Sequence, residues 1–208
     1  MSRHSSFLAA GRRHSVGVRR GGTVVAAGHD AAGECRTGRW TEVVAVAAGN
    51  VHTARNTGRS HTVGLRADGT VVATGWNDDG QCAVDSWRGL VEVAAGYLHT
   101  VGLRGDGRVL AIGDGSGGAC AVEDWRDVVA VAAGSYHTLG VTASGRVLAA
   151  GDNSFGQCDV GAWRDIVAVA AGSTHSLGLR ADGTVASAGN PADGRCDVSA
   201  WARLAAPG

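Results

Sequence analysis

Five times in 208 residues the chain writes Gly-x-Cys and, five positions after the cysteine, Trp: Cys35/Trp40, Cys82/Trp87, Cys120/Trp125, Cys158/Trp163 and Cys196/Trp201. From Trp87 to Trp201 the step is a constant 38 residues. A fixed period of this size marks a repeat architecture in which each copy is one structural unit stacked on its neighbours. One repeat domain, residues 1–208, accounts for the whole chain, with units at about 7–40, 41–87, 88–125, 126–163 and 164–201. Residues that recur should build the scaffold, and function should lie where the copies differ.

The last unit illustrates the reading. Asp165-Ile-Val-Ala-Val-Ala-Ala-Gly172 is a short apolar run ended by glycine, the pattern of a strand covered on both faces. His175-Ser-Leu-Gly-Leu-Arg180 follows as a second strand, with Leu177 and Leu179 on one face. Asp182-Gly183 signals a two-residue type I′ hairpin, Thr184 to Gly189 a third strand, and Arg195 to Val198 a brief fourth. With no helical periodicity, this predicts an all-β fold: a β-propeller of five four-stranded antiparallel blades, about 38 residues per repeat. Glycine, 34 of 208 residues, exceeds the roughly 7% of average proteins and suits many tight turns.

Net charge is zero and every basic side chain is arginine, but the charge is uneven. Residues 1–39 carry seven arginines against Asp30 and Glu34, whereas residues 76–127 carry nine acids against four arginines. Such asymmetry can steer a charged partner or let two copies meet head to tail. The first twenty residues lack the apolar core of a secretory signal, and no apolar run reaches the roughly 20 residues that span a bilayer. The expectation is a soluble cytoplasmic protein without membrane partners. Five cysteines at one repeated position suit reduced thiols in a core better than a disulfide framework.

Ala-Ala-Gly-x-x-His-Thr/Ser, apolar-Gly-apolar, Asp-Gly-Thr-Val, Gly-x-Asn-x-x-Gly-Gln-Cys and Trp-Arg-Asp-Ile-Val together resemble the bacterial short form of the regulator of chromosome condensation repeat. Asp152-Asn-Ser-Phe-Gly-Gln-Cys158 is the best single match, and the resemblance runs from Phe7 to Trp201. It implies a propeller, usually of about seven blades, that binds proteins through loops at one face. The eukaryotic founder of the family exchanges nucleotide on a small GTPase at chromatin, and a secreted propeller of similar repeats inhibits β-lactamases. With five units, the reading favours a closed five-bladed ring; the alternative is open ends covered by another subunit. In the first case the protein is a monomer, in the second a ring-completing homo-oligomer.

Each recurrent polar residue has a structural reading and a chemical one. His14, His99, His137 and His175 share a position, filled in the second unit by His52 or His61. They are expected to bond backbone of an adjoining strand rather than to ring a metal. No two cysteines lie closer than 38 residues, unlike the close pairs of zinc sites. The tryptophans fit packing between blades, and Arg88, Arg126 and Arg164 are expected to pair with acids such as Asp127 and Asp165. No nucleophile, base and orienting acid stand together, so no catalytic residue, metal or cofactor is assigned and the chain reads as no enzyme.

Two sets of residues vary between copies. The pair before the histidine reads Arg12-Arg13, Asn50-Val51, Tyr97-Leu98, Ser135-Tyr136 and Ser173-Thr174, and nine extra residues, His52 to Ser60 with Arg55 and Arg59, lengthen it in the second unit. The other set precedes Gly-x-Cys and includes Trp76 and Phe155 as exposed loop tips. Either could be the working face, because loops on a rigid scaffold carry binding groups and Tyr and Arg commonly anchor contacts. The resulting expectation is a non-catalytic scaffold for an unidentified protein partner. Its alternatives are a nucleic-acid- or chromosome-associated protein using the basic first unit, and an inhibitor or regulator of an enzyme or small GTPase.

Overall fold

The structure, a computed structural model, describes residues 6–49 and 58–205. It is built from five three-stranded antiparallel meanders: β1 (Leu8–Ala10), β2 (His14–Val18) and β3 (Val24–Gly28); β4 (Val43–Ala48), β5 (His61–Arg66) and β6 (Val71–Gly75); β7 (Leu90–Ala95), β8 (His99–Arg104) and β9 (Val109–Gly113); β10 (Val128–Ala133), β11 (His137–Thr142) and β12 (Val147–Gly151); β13 (Ile166–Ala171), β14 (His175–Arg180) and β15 (Val185–Gly189). The all-β blade architecture is as read from the sequence, but the fourth strand is not there. Residues 195–198 and their counterparts form successive tight turns instead: Val198 N–H donates to Cys196 O at 2.9 Å and Trp201 N–H to Val198 O at 2.9 Å. The cysteine amide is also taken, by Asn77 Oδ1 at Cys82 and by Asn153 Oδ1 at Cys158, both at 2.7 Å. With these donors spent locally, the segment cannot pair along β3 or its equivalents.

The Asp-Gly hairpin also differs from the type I′ expectation. Only the glycine takes positive φ, as at Gly183 (φ 81°), and it closes a four-residue turn by donating to Arg180 O at 2.9 Å. The aspartate keeps ordinary φ because its carboxylate has another task. Asp182 Oδ1 accepts the Thr184 amide at 2.8 Å, as Asp68 accepts that of Thr70.

Hydrophobic residues gather in four clusters, one at each junction between consecutive units. At each junction the repeated tryptophan lies over a mid-strand glycine of the following unit: Trp40 over Gly64, Trp87 over Gly102, Trp125 over Gly140 and Trp163 over Gly178. A methyl group on Gly102 would stand 2.7 Å from the Trp87 ring, so the glycine in apolar-Gly-apolar is the seat of an indole. The histidines bridge the same junctions. His14 Nε2 lies 2.9 Å from Thr62 Oγ1, His61 Nε2 2.9 Å from Thr100 Oγ1, His99 Nε2 3.0 Å from Thr138 Oγ1, and His137 Nε2 2.9 Å from Ser176 Oγ. Their partner is thus a side-chain hydroxyl of the next unit, where backbone was expected, and in the second unit the position belongs to His61. Arg88, Arg126 and Arg164 likewise donate to main-chain carbonyls, such as Asp85 O and Trp87 O at 2.6 and 2.8 Å, in place of the expected acids.

The junction series ends open. The substantial strand contacts between units all join consecutive ones, and Trp201 is 47% exposed where Trp163 is 7%. Leu8, on the outer side of the first unit, is 76% exposed. The five units therefore form an arc rather than the closed five-bladed ring the sequence favoured. Arg203 (φ 59°) and Leu204, whose amide donates to Gly183 O, repeat the geometry of Asp165 (φ 57°) and Ile166, which donates to Gly145 O.

Candidate binding face

The meander register decides where the variable residues go. In every unit the histidine that opens the second strand stands opposite the glycine that closes the third: His14 and Gly28, His61 and Gly75, His99 and Gly113, His137 and Gly151, His175 and Gly189. The next amide then reaches back to the residue before the histidine, as Asp114 N–H does to Leu98 O and Asp152 N–H to Tyr136 O, each at 2.9 Å. The two variable sets therefore emerge at the same end of every blade and form one face. The Asp-Gly turns occupy the other.

One half of this face is basic. Arg12, Arg13 and Arg59 are exposed, and with His29, Glu34, Gly58 and Ser60 the three line a crevice of about 10 Å³, room for one water. The Arg59 guanidinium sits 5.1 Å from the Trp76 ring centroid, a cation–π distance. Trp76 is half-buried rather than an exposed tip. Asn50, Val51 and Arg55 lie outside the described residues.

The other half is aromatic and acidic. Tyr97 and Tyr136 meet edge to face, centroids 5.5 Å apart at 89°. Tyr97 and Leu98 are buried, as are Ser135 and Thr174, so they form the floor beneath the rim instead of exposed anchors; Tyr136 and Ser173 are half-buried. Phe155 stands out at 52% exposure. Beside Tyr136 opens a cleft of about 300 Å³ bounded by Leu98, Asp114, Ala119 and Asp152. The Ser116 hydroxyl and amide hold the Asp114 carboxyl below the usual carboxylate range, and the Ser154 hydroxyl does the same for Asp152.

The middle residue of Gly-x-Cys contributes to this face, although sequence reasoning passed over it. Gln157 is fully buried, donating from Nε2 to Asp152 Oδ2 at 2.8 Å and accepting the Phe155 amide at 3.0 Å. Glu34 takes its place in the first unit, 2.8 Å from His29 Nδ1 and 2.9 Å from the Ala32 amide. Ala119, in the third, is too short for either contact, and the cleft lies there. The signal was available as the alternation Glu, Gln, Ala, Gln, Arg at one repeated position.

Beneath the face, the histidines are fixed in one state. Each partner hydroxyl spends its only proton on a carbonyl of the preceding unit: Thr62 on Glu34 O, Thr100 on Gln81 O, Thr138 on Ala119 O and Ser176 on Gln157 O, at 2.7 to 2.8 Å. It must accept from the histidine, so Nε2 carries a proton. Burial, first, and then a neighbouring histidine hold His61 at a pKa of about 3 and His99 and His137 at about 4. The cysteines are half-buried free thiols, less enclosed than a core reading implies, and point S–H at the carbonyl after the third strand, as Cys82 does to Trp76 O at 3.4 Å. Burial pushes Cys82 up to about 12 and Cys158 to about 11. Among the described residues, no three His, Cys, Asp or Glu are grouped to hold a metal, and no helix is long and apolar enough to cross a membrane.

Comparison with known proteins agrees with this geometry. A family model described as the regulator of chromosome condensation (RCC1) repeat matches residues 56–81, 90–119, 128–157 and 166–195, more than half of the chain. No curated protein sequence matches it. Among solved structures, the ectodomain of the Physcomitrella patens receptor kinase CR4 superposes with a TM-score of 0.68 at 19% identity, covering 89% of this chain and 52% of its own. Prp20p from Saccharomyces cerevisiae gives 0.66 at 21% identity, with 88% and 56% covered. Human WBSCR16 gives 0.67 at 18% identity, with 91% and 62% covered. At these identities the likeness is one of fold, and the chain spans between about half and two thirds of these proteins' length.

Proposed function

The chain belongs to the regulator of chromosome condensation (RCC1) repeat family, and from that premise we propose that it is a non-catalytic propeller-type scaffold that binds a protein partner through the single face where its variable loops converge. The observation that carries the reading is that convergence: exposed Arg12, Arg13 and Arg59 on one half of the face, and Tyr136 and Phe155 beside Asp114 and Asp152 on the other. A rim with separated basic and acidic halves around aromatic side chains suits a protein surface of matching polarity better than a small substrate. Prp20p is described by its binding to Gsp1p and histones, and the same yeast protein has been seen bound to Kap60; a protein partner here extends that habit by analogy of fold. The neutral rings of His61, His99 and His137 and the protonated thiols of Cys82 and Cys158, engaged in scaffold bonds, favour a non-catalytic role. Five unpaired cysteines favour a reducing compartment, the cytoplasm.

The test compares proteins retained from a lysate of the source cells by the wild type, by Arg12→Ala/Arg13→Ala, by Phe155→Ala, and by Arg108→Ala/Arg146→Ala on the opposite face. A partner kept by the last variant and lost by either of the others supports the reading. Identical retention by all four overturns it. The exposed arginines also favour a second reading, nucleic-acid binding through the first unit. Retention of duplex DNA that falls steeply as salt rises and vanishes in Arg12→Ala/Arg13→Ala would establish it.

A further inference from the structure

One repeated position decides whether the loop face is filled or open. In the fourth unit Gln157 plugs the space under the loop, its Nε2 donating to Asp152 Oδ2 at 2.8 Å. The third unit keeps the acceptor and lacks the plug. Asp114 stands where Asp152 does, bonded by the Ser116 amide at 2.9 Å, while Ala119, in the place of Gln157, brings no donor. Gly115 and Gly117 replace Asn153 and Phe155, and a methyl group on either would meet nothing within 4 Å, so the mouth above is open as well. The result is the cleft of about 300 Å³ between the third and fourth units, at the small end of ligand pockets and suited to a single long side chain. A second acceptor waits in its wall. His99, 2% exposed, lines the cleft. Its Nε2 is spent on Thr138, and its Nδ1, unprotonated at neutral pH, has no hydrogen-bond partner among the described residues.

We infer that the cleft receives the guanidinium of an arginine side chain supplied by the protein partner, an assignment that rests on the reading of the loop face as a protein-binding surface. Acceptors without donors call for a donor, and the lining calls for a charged one. Asp114 and Asp152 both border the cleft with carboxyls held below the usual carboxylate range, and no arginine is among the residues around them. Arg59, whose charge reaches Tyr136, is seated over Trp76 instead. A guanidinium carries its N–H donors in a planar fork, enough to serve Asp114 and His99 Nδ1 together, and its plane can lie against the ring of Tyr136 in the cleft wall. An ammonium is a point charge with neither fork nor plane. Asp152 contributes charge alone, because Ser154 and Gln157 already occupy its two oxygens.

The probe is Nα-acetyl-arginine-N-methylamide, titrated at millimolar concentration into the isotope-labelled protein and followed by heteronuclear NMR. Saturable shifts are expected at the amides of Asp114, Ser116 and Gly117, and none at Asp68 or Asp182, acidic turns of the opposite face. The citrulline analogue, which keeps the shape and loses the charge, and the lysine analogue should each bind at least about tenfold more weakly. Asp114→Asn should weaken the arginine probe by a similar factor, and Ala119→Gln should abolish its binding by restoring the plug. Both variants install side chains that the repeat already carries at the same positions, in Asn190 and Gln157, and far-UV circular dichroism checks that the fold is kept. Absence of saturable shifts overturns the proposal, as does a citrulline or lysine response equal to that of arginine, or binding that survives Ala119→Gln. The probe is read without a partner, so its failure leaves the loop-face reading standing, whereas a specific probe response alongside identical retention by the four proteins compared above supports the cleft and overturns that reading.

Discussion

His99 Nε2 stands 3.0 Å from the hydroxyl of Thr138, one unit further along, and that hydroxyl donates at 2.8 Å to Ala119 O, back in the unit of the histidine. The bond pair thus crosses the junction twice. Thr138→Val removes both crossings while keeping the shape, leaving a buried N–H and a buried carbonyl unpaired, and should cost about 1–3 kcal/mol. Thr138→Ser should be nearly neutral, since Ser176 serves the next junction. Urea midpoints of the two variants check this, and equal losses would mean that the hydroxyl is not what matters.

Glycines that share a sequence position should respond differently to one added methyl. On Gly102 it would stand 2.7 Å from the Trp87 ring and equally close to Leu90, and on Gly178 2.7 Å from Trp163. Overpacking of this kind typically costs about 1–3 kcal/mol. On Gly17 its nearest neighbour is the flexible tip of Leu8. Thermal melts should therefore show a clear loss for Gly102→Ala and Gly178→Ala, and little change for Gly17→Ala.

Acid should loosen the array chiefly through its buried histidines. The unfolded chain protonates its histidines near 6.5, whereas folded His61 does so at about 3 and His99 and His137 at about 4. Depressed values in the folded state mean that their contribution is complete above 6.5 and declines as pH falls towards 4. Each such group contributes a slope of up to about 1.4 kcal/mol per pH unit. Glu92 opposes them: burial raises its carboxyl from 4.5 to about 7, so folding favours its protonated form within that window. The net near pH 5.5 is a loss worth about two protons. Urea midpoints from pH 7.5 to 4.5 should fall, and Glu92→Ala, which installs the residue found at Ala130 and Ala168, should raise the midpoint at pH 8 while steepening the fall.

The thiols should be sluggish nucleophiles. With Cys82 at about 12 and Cys158 at about 11, the thiolate that reacts is scarce at pH 8. Alkylation by iodoacetamide, followed by mass spectrometry, should label these two far more slowly in the native protein than in urea. Equal rates would contradict the S–H···O=C contacts that hold them.

Much of this was legible because the repeat made each residue its own control. Period, strand order and the scaffold roles of histidine and tryptophan follow from identical spacing in five contexts. The missing fourth strand was not legible, since Arg195-Cys-Asp-Val198 has the composition of a strand while its amides are claimed by side chains and turns nearby. The hydroxyl beside each histidine was visible in the motif, but its neighbour across the junction was not, because the two lie about one repeat apart. The two variable sets looked like rivals for the same reason: only the pairing of His99 with Gly113 and its equivalents brings them to one face. Tyr97 is buried where Tyr136 of the next unit meets it edge to face, a contact no local pattern announces.

Because each unit carries both a histidine for the next and a hydroxyl for the last, the array has a grammar of copying. A tandem duplication of one 38-residue stretch, cut at any phase, inserts a unit whose new junctions are already written, and a deletion of the same length heals in the same way. The number of units is therefore free to drift while every seam stays the same, and change at the loop face proceeds without any need to redesign the frame that carries it.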